Sequence, residues 1–80
     1  MSRKARLQWR CRRGMRELDL MLARFLDKRF DGLDETQKAQ FENFLNCPNE
    51  DLYDWLMAQR ESPTEWRTLV DAIRQSSTDS

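Results

Sequence analysis

The sequence predicts an all-α fold, a small antiparallel five-helix bundle in a single domain. Three observations carry that expectation. Gly and Pro number only two each in 80 residues, while the helix formers Leu, Arg, Glu and Gln are common. Apolar residues recur at three- and four-residue spacing, and no stretch alternates convincingly with period two. The polar breaks between the apolar segments carry helix-capping signatures. The domain is expected to span residues 1–76, with residues 77–80 a polar tail that frays. A chain of this length buries only roughly 60% of the surface its unfolded form exposes, so its core has little to spare.

Residues 3–13 read as a first short helix, with Leu7 and Cys11 on one face and Ala5 and Trp9 on another. Gly14 interrupts it. Residues 15–30 give the clearest amphipathic pattern, because Leu18, Met21, Leu22, Phe25 and Leu26 follow the spacing of one buried stripe. Asp31-Gly32 is a turn signal. Asp34 with Gln37 forms a capping box for a third helix over 34–46, carrying Phe41, Phe44 and Leu45 inward. Asn46-Cys47-Pro48-Asn49 breaks that helix, and Asn49 is expected to cap a fourth over 49–60, with Leu52, Trp55 and Leu56 inward. In Ser62-Pro63-Thr64-Glu65, Ser62 is the expected N-cap, Pro63 suits the first helical position and Glu65 closes a capping box. The fifth helix then covers 63–76, with Trp66, Leu69, Val70 and Ile73 at helical spacing. Met21 and the aromatics of these stripes are expected to be core. Trp9 lies among Arg6, Arg10 and Arg13 at three- or four-residue spacing. It is either an exposed anchor or half-buried packing, and the second is preferred.

The formal net charge of zero hides a split. Residues 1–16 hold seven bases and no acid, while residues 17–80 hold the other seven bases and all fourteen acids. The basic segment reads either as a solvated helix complementing the acidic remainder, or as a docking surface for an acidic partner or nucleic acid. There is no His, so the commonest general base and metal ligand is missing. No Ser or Cys stands in a nucleophile motif. The pairs Asp34-Glu35 and Glu50-Asp51 fall at expected helix starts, where capping explains them better than acid–base chemistry. An enzyme is therefore not expected, and neither is a metal site. The spacing of Cys11 and Cys47 leaves a disulfide open; two reduced, partly buried thiols in a cytoplasmic protein are expected, because no secretory signal is visible. The longest apolar run, Leu20-Met21-Leu22-Ala23, is far short of a membrane span. The Arg-rich start has the charge of a mitochondrial presequence but is short, poor in Ser and continuous with the first helical pattern, so it is assigned to the mature fold.

The densest local information is Arg12-Arg13-Gly14-Met15-Arg16-Glu17-Leu18-Asp19. A structural account is available: Gly14 falls where one helix stops and the next starts, a position that favours a left-handed residue. Arg12 and Arg13 then lie at a helix C-terminus, and Glu17 and Asp19 near an N-terminus, each suiting the macrodipole. A functional account is that the missing side chain at Gly14 lets a partner's backbone come close, between a cation and a carboxylate.

Arg13-Gly14-Met15-Arg16-Glu17 matches the RGxxE motif, and the stretch from Lys4 to Asp19 resembles the N-terminal signature of the succinate dehydrogenase flavinylation-factor family, known in bacteria as SdhE or YgfY. Phe30-Asp31-x-Leu33, Phe41 to Cys47, and Asp51 to Met57 are similar to the family's later segments, so the resemblance covers roughly residues 4–57. RGxxE alone fixes three residues; its flanks and the matching length make it specific. The resemblance implies a five-helix assembly factor. It would bind the flavoprotein subunit of succinate dehydrogenase, and in bacteria of fumarate reductase, and promote covalent attachment of FAD to a His of that subunit. The bond-forming chemistry would belong to the client and its flavin. The resemblance places Arg13, Gly14 and Glu17 at the partner surface, with Arg16 and Asp19 adjoining and Arg6 and Trp9 nearby. The sequence has no GxGxxG and no helix-opening glycine loop, so no tightly bound cofactor is expected, FAD being handled through the client.

The competing expectation is a nucleic-acid-binding or antitoxin-type regulator that uses the basic N-terminal helix, a role described for relatives. Against it, the net −7 of residues 17–80 would repel phosphates everywhere outside that helix, and no aromatic-studded sheet or KH-type loop is present for RNA. A monomer is expected.

Overall fold

The computed structural model describes residues 2–78. Five helices follow one another: α1 (Arg3–Arg10), α2 (Arg16–Arg29), α3 (Glu35–Phe44), α4 (Asn49–Leu56) and α5 (Thr64–Thr78), with a single 3-10 turn at Phe30–Gly32 after α2. No strand occurs among the described residues.

The stripe predicted on α2 is the centre of the core. Leu18, Met21, Leu22, Phe25 and Leu26 are all buried, and α2 packs chiefly against α5, whose Leu69, Val70 and Ile73 close the other side. Burying one such side chain contributes about 1.5–3 kcal/mol. The aromatics of α3 join the two halves. Phe41 lies 5.1 Å from Phe25 and 6.3 Å from Phe30, centroid to centroid, while Phe44 lies 5.3 Å from Trp66 and 6.1 Å from Trp55. Tilted and edge-on aromatic pairs at such distances add to the area they bury. Trp66 is only half-buried; Met21 and the other stripe aromatics are core.

The capping box that opens α3 forms as predicted: the Gln37 amide donates to Asp34 Oδ1 at 2.8 Å, and the Asp34 amide donates to Gln37 Oε1 at 3.0 Å. Other boundaries differ from the sequence reading. α4 has Pro48, not Asn49, at the cap position, because the Asn49 side chain is committed elsewhere. α5 opens at Thr64, one residue later than predicted, with Pro63 immediately before it and the Trp66 amide donating to Pro63 O at 3.0 Å. α4 stops at Leu56 rather than near residue 60. Ala58 takes a left-handed conformation, φ 58, and the amides of Gln59 and Arg60 both donate to Asp54 O, at 2.7 and 3.2 Å. This is a left-handed helix stop built without glycine, so no residue type announced it. At the other end, α5 runs on to Thr78, where the sequence suggested fraying. Ser76 is buried and its hydroxyl donates to Ala72 O at 3.1 Å. The remaining tail residues, Asp79 and Ser80, lie outside the described residues.

Candidate docking site

α1 stops at Arg10, three residues earlier than predicted, because the chain must turn sharply before α2. Gly14 makes the corner with φ +83, a conformation that costs a side-chain-bearing residue free energy. Met15 is then extended, φ −124 and ψ 106, and α2 begins at Arg16.

Two polar side chains hold this corner from inside. Asp19, in the first turn of α2, reaches back so that Oδ1 accepts from the Arg13 amide at 2.9 Å and Oδ2 from the Gly14 amide at 3.1 Å. One carboxylate thus satisfies both amides of the turn. Arg13 points the opposite way, into the end of α3. Its Nε donates to Asn49 Oδ1 at 2.6 Å, Nη1 to Leu45 O at 2.8 Å and Arg10 O at 3.2 Å, and Nη2 to Cys47 O at 3.1 Å. The guanidinium therefore caps the carbonyls that α3 leaves open at its C-terminus. Asn49 also returns a contact, its Nδ2 donating to Arg13 O at 3.4 Å.

The rest of the basic segment divides by side. Arg3 bonds Glu42 at 2.7 Å and Glu35 at 2.6 Å. Lys4 pairs with Asp31 at 3.1 Å. Arg10 donates to Asn46 Oδ1 at 2.7 Å and Glu42 O at 3.2 Å. The Arg3 guanidinium holds the Glu42 carboxyl below the usual carboxylate range. On the other side Arg6, Trp9, Arg12, Arg16 and Glu17 face solvent. Trp9 is 61% exposed, against the half-buried packing preferred from sequence. The stripe that contains Leu7 and Cys11 points inward and leaves Trp9 on the far face. The Arg12 guanidinium lies 4.9 Å from the Trp9 ring centroid, a cation–π pair on the surface. Leu20, 40% exposed, stands beyond Gly14 across a groove of about 660 Å³ between the two chain segments.

The predicted site residues thus fall into two sets around one corner. Arg6, Trp9, Gly14, Arg16 and Glu17 are outward; Arg13 and Asp19 are engaged within the chain. A Cβ placed on Gly14 would meet nothing within 4 Å, so the space over the corner is open. Sequence reasoning missed Arg12 and Asn49. Arg12 was legible as a cation three residues from Trp9; Asn49 was hidden by its plausibility as a cap.

Both cysteines are free. Burial pushes the Cys11 thiol up to about 11 and raises that of Cys47 as well, so neither offers a thiolate at neutral pH. The N-terminus of α2 is furnished with Glu17 and Asp19, which leaves it unattractive to a phosphate.

The family model described as the flavinator of succinate dehydrogenase matches residues 5–77. A protein named FAD assembly factor SdhE from Mannheimia succiniciproducens is 48% identical over 71 residues, covering 88% of this chain and 83% of its own. Proteins of the same name from Legionella pneumophila and Coxiella burnetii are 45% and 37% identical, over 89% and 90% of this chain and 90% and 89% of theirs. With its RGxxE corner intact and its likeness running almost end to end, the chain belongs to the succinate dehydrogenase flavinator family.

Proposed function

We propose that this protein is an assembly factor that docks on the flavoprotein subunit of succinate dehydrogenase, and on that of fumarate reductase, and promotes covalent attachment of FAD there. The observation that carries the reading is the construction of the RGxxE corner. Arg13 and Asp19 fix it from within, and Gly14, Arg16 and Glu17 are left exposed, as is Trp9 on α1. Trp and Arg side chains are the types that anchor protein interfaces. A bare glycine at the corner lets a client's backbone come close. The factor itself supplies no nucleophile or general base. It holds FAD only through the client, acts as a monomer and works in the cytoplasm.

A nucleic-acid role finds less support. Arg3, Lys4, Arg10 and Arg13 are spent on bonds within the chain. What faces outward is Arg6, Arg12 and Arg16, too few to offset the acidic remainder.

The test is restoration of covalent flavin on the flavoprotein subunit in cells that lack their own factor, together with cross-linking of the two proteins. A one-to-one complex in the millimolar to micromolar range is expected for so small a transient interface, weakened by moderate salt. Absence of both the cross-link and the covalent flavin, with tight binding to nucleic acid instead, would overturn the reading.

A further inference from the structure

We propose that Asn49, at the start of α4, is a positioning residue for docking, holding the RGxxE corner in its binding shape through Arg13. The inference rests on the docking reading above, but the geometry that motivates it is independent of any partner. Asn49 touches Arg13 on both its guanidinium and its backbone carbonyl, at 2.6 and 3.4 Å. On the other side of the same residue, Asp19 takes the Arg13 amide at 2.9 Å and the next amide, of Gly14, at 3.1 Å. The peptide units on either side of Arg13, the second of which leads into Gly14, are therefore gripped from two helices at once, α2 through Asp19 and α4 through Asn49. Gly14 has no side chain and open space around it; packing does not restrain it, and a glycine left to itself samples both signs of φ. The two clamps fix the peptide unit that enters Gly14, and Met15 O, which accepts from the Asp19 amide at 2.8 Å, fixes the chain beyond it; between these anchors Gly14 takes φ +83. Pro48, not Asn49, occupies the cap position of α4, with no side-chain cap bond, and the Asn49 amide is turned to Arg13 instead.

A surface that is in its binding shape only part of the time binds more weakly in proportion: a competent fraction of one tenth raises the apparent Kd about tenfold. Asn49→Ala removes one clamp and leaves Asp19 in place. Asn49→Asp keeps the acceptor for the Arg13 guanidinium, now as an ion pair, but has no donor for Arg13 O, and is the partial rescue. Asn46→Ala is the matched control. It deletes another Asn–Arg bond from the end of α3, to Arg10 at 2.7 Å, but touches nothing at the corner.

The full chain carrying each substitution is to be compared by three measurements. These are thermal melting, the amide NMR signals and millisecond relaxation dispersion of Arg13 and Gly14, and Kd for the purified apo flavoprotein subunit of succinate dehydrogenase. For Asn49→Ala we expect displaced, exchange-broadened Gly14 and Arg13 signals and a Kd raised about tenfold, with a melting change no larger than that of Asn46→Ala. Asn49→Asp, which keeps the guanidinium contact and loses the one to Arg13 O, should recover part of both signals and affinity, and Asn46→Ala should leave both unchanged. Unmoved corner signals and unchanged Kd in Asn49→Ala, while Glu17→Ala abolishes binding, would overturn the role of Asn49 and leave the docking reading standing. A loosened corner with unchanged Kd would show that the corner is not the docking surface, and both would fall.

Discussion

The two sides of the basic N-terminal segment are built from the same residue type and do opposite work. On one side Arg3, Arg10 and Arg13 reach across to α3 and the start of α4, meeting Glu35, Glu42, Asn46, Asn49 and the free carbonyls at the α3 terminus. On the other, Arg6, Arg12 and Arg16 stand in solvent, Arg12 stacked over Trp9. The inner side stitches α1 to the bundle; the outer side is free to meet a partner. A charge count treats all of them alike. What separates them is phase on the helix relative to the buried Leu7, and whether a carbonyl or carboxylate waits opposite.

The comparison is broken most directly at Arg13. Arg13→Ala strands the carbonyls of Leu45 and Cys47 and the side chain of Asn49. Charge-assisted hydrogen bonds of this kind contribute about 1.5–3 kcal/mol, which for a domain of this size lowers the melting temperature by roughly 10 °C. Arg16→Ala, two residues beyond the corner, should stay within about 0.5 kcal/mol of the parent. Thermal melts of the two variants side by side test the division. Equal losses would mean that the two sides do not differ.

A second test asks how dry the inner side is. The Cys11 thiol is pushed up to about 11 by burial, against an ordinary value of 9.0. Below pH 9 it is protonated whether folded or not and adds no pH dependence. Above that the unfolded chain releases its proton first, so stability falls as pH rises toward the folded value, by about 2 kcal/mol near pH 10.5. Melting followed from pH 8 to pH 10.5 should decline less steeply in Cys11→Ala than in the parent, whatever constant offset the smaller side chain brings. Parallel curves would place Cys11 in a wetter site than its 2% exposure indicates.

Gly14, where the two sides meet, carries an intermediate effect. Gly14→Ala introduces no clash, since nothing lies within 4 Å of the new Cβ; its cost is that of holding alanine at positive φ, about 1 kcal/mol. Gly14→Asn should cost less, because Asn tolerates the left-handed region better. Denaturant unfolding resolves the pair, and an Asn variant weaker than the Ala variant would argue against a purely conformational cost.

The α2 stripe, the α3 capping box and the glycine corner were legible because each depends on neighbours within a turn or two of helix. Arg3 and Arg10 were legible in part: they stand four residues before and three after Leu7 and so belong to its face, yet their acceptors lie more than thirty residues away. Asn49 and Ala58 were not legible. A residue well suited to a local cap was taken by a distant arginine, and a left-handed stop was filled by a residue with no preference for it. The RGxxE motif was visible from the start, but not its division into Arg13, which bonds inward, and Glu17, which does not.

That division yields the smallest effect on folding and the sharpest on function. Glu17 is exposed, in the first turn of α2, where a carboxylate suits the helix dipole by a few tenths of a kcal/mol. Glu17→Ala should therefore melt within about 2 °C of the parent. If the outer side is the docking surface, the same change deletes a carboxylate from the contact, and covalent flavin on the client subunit should fall sharply in cells that lack their own factor. Trp9→Ala should behave alike, since a tryptophan that is 61% exposed contributes little to the core but is the largest apolar group available to a partner. Arg13→Ala would lose flavin support as well, but with a melting temperature lowered by roughly 10 °C. The pattern that identifies a docking side is loss of covalent flavin without loss of stability. Glu17→Ala and Trp9→Ala proteins that melt normally and still restore covalent flavin would make the outer side ordinary solvated surface, and the RGxxE corner only a junction between two helices.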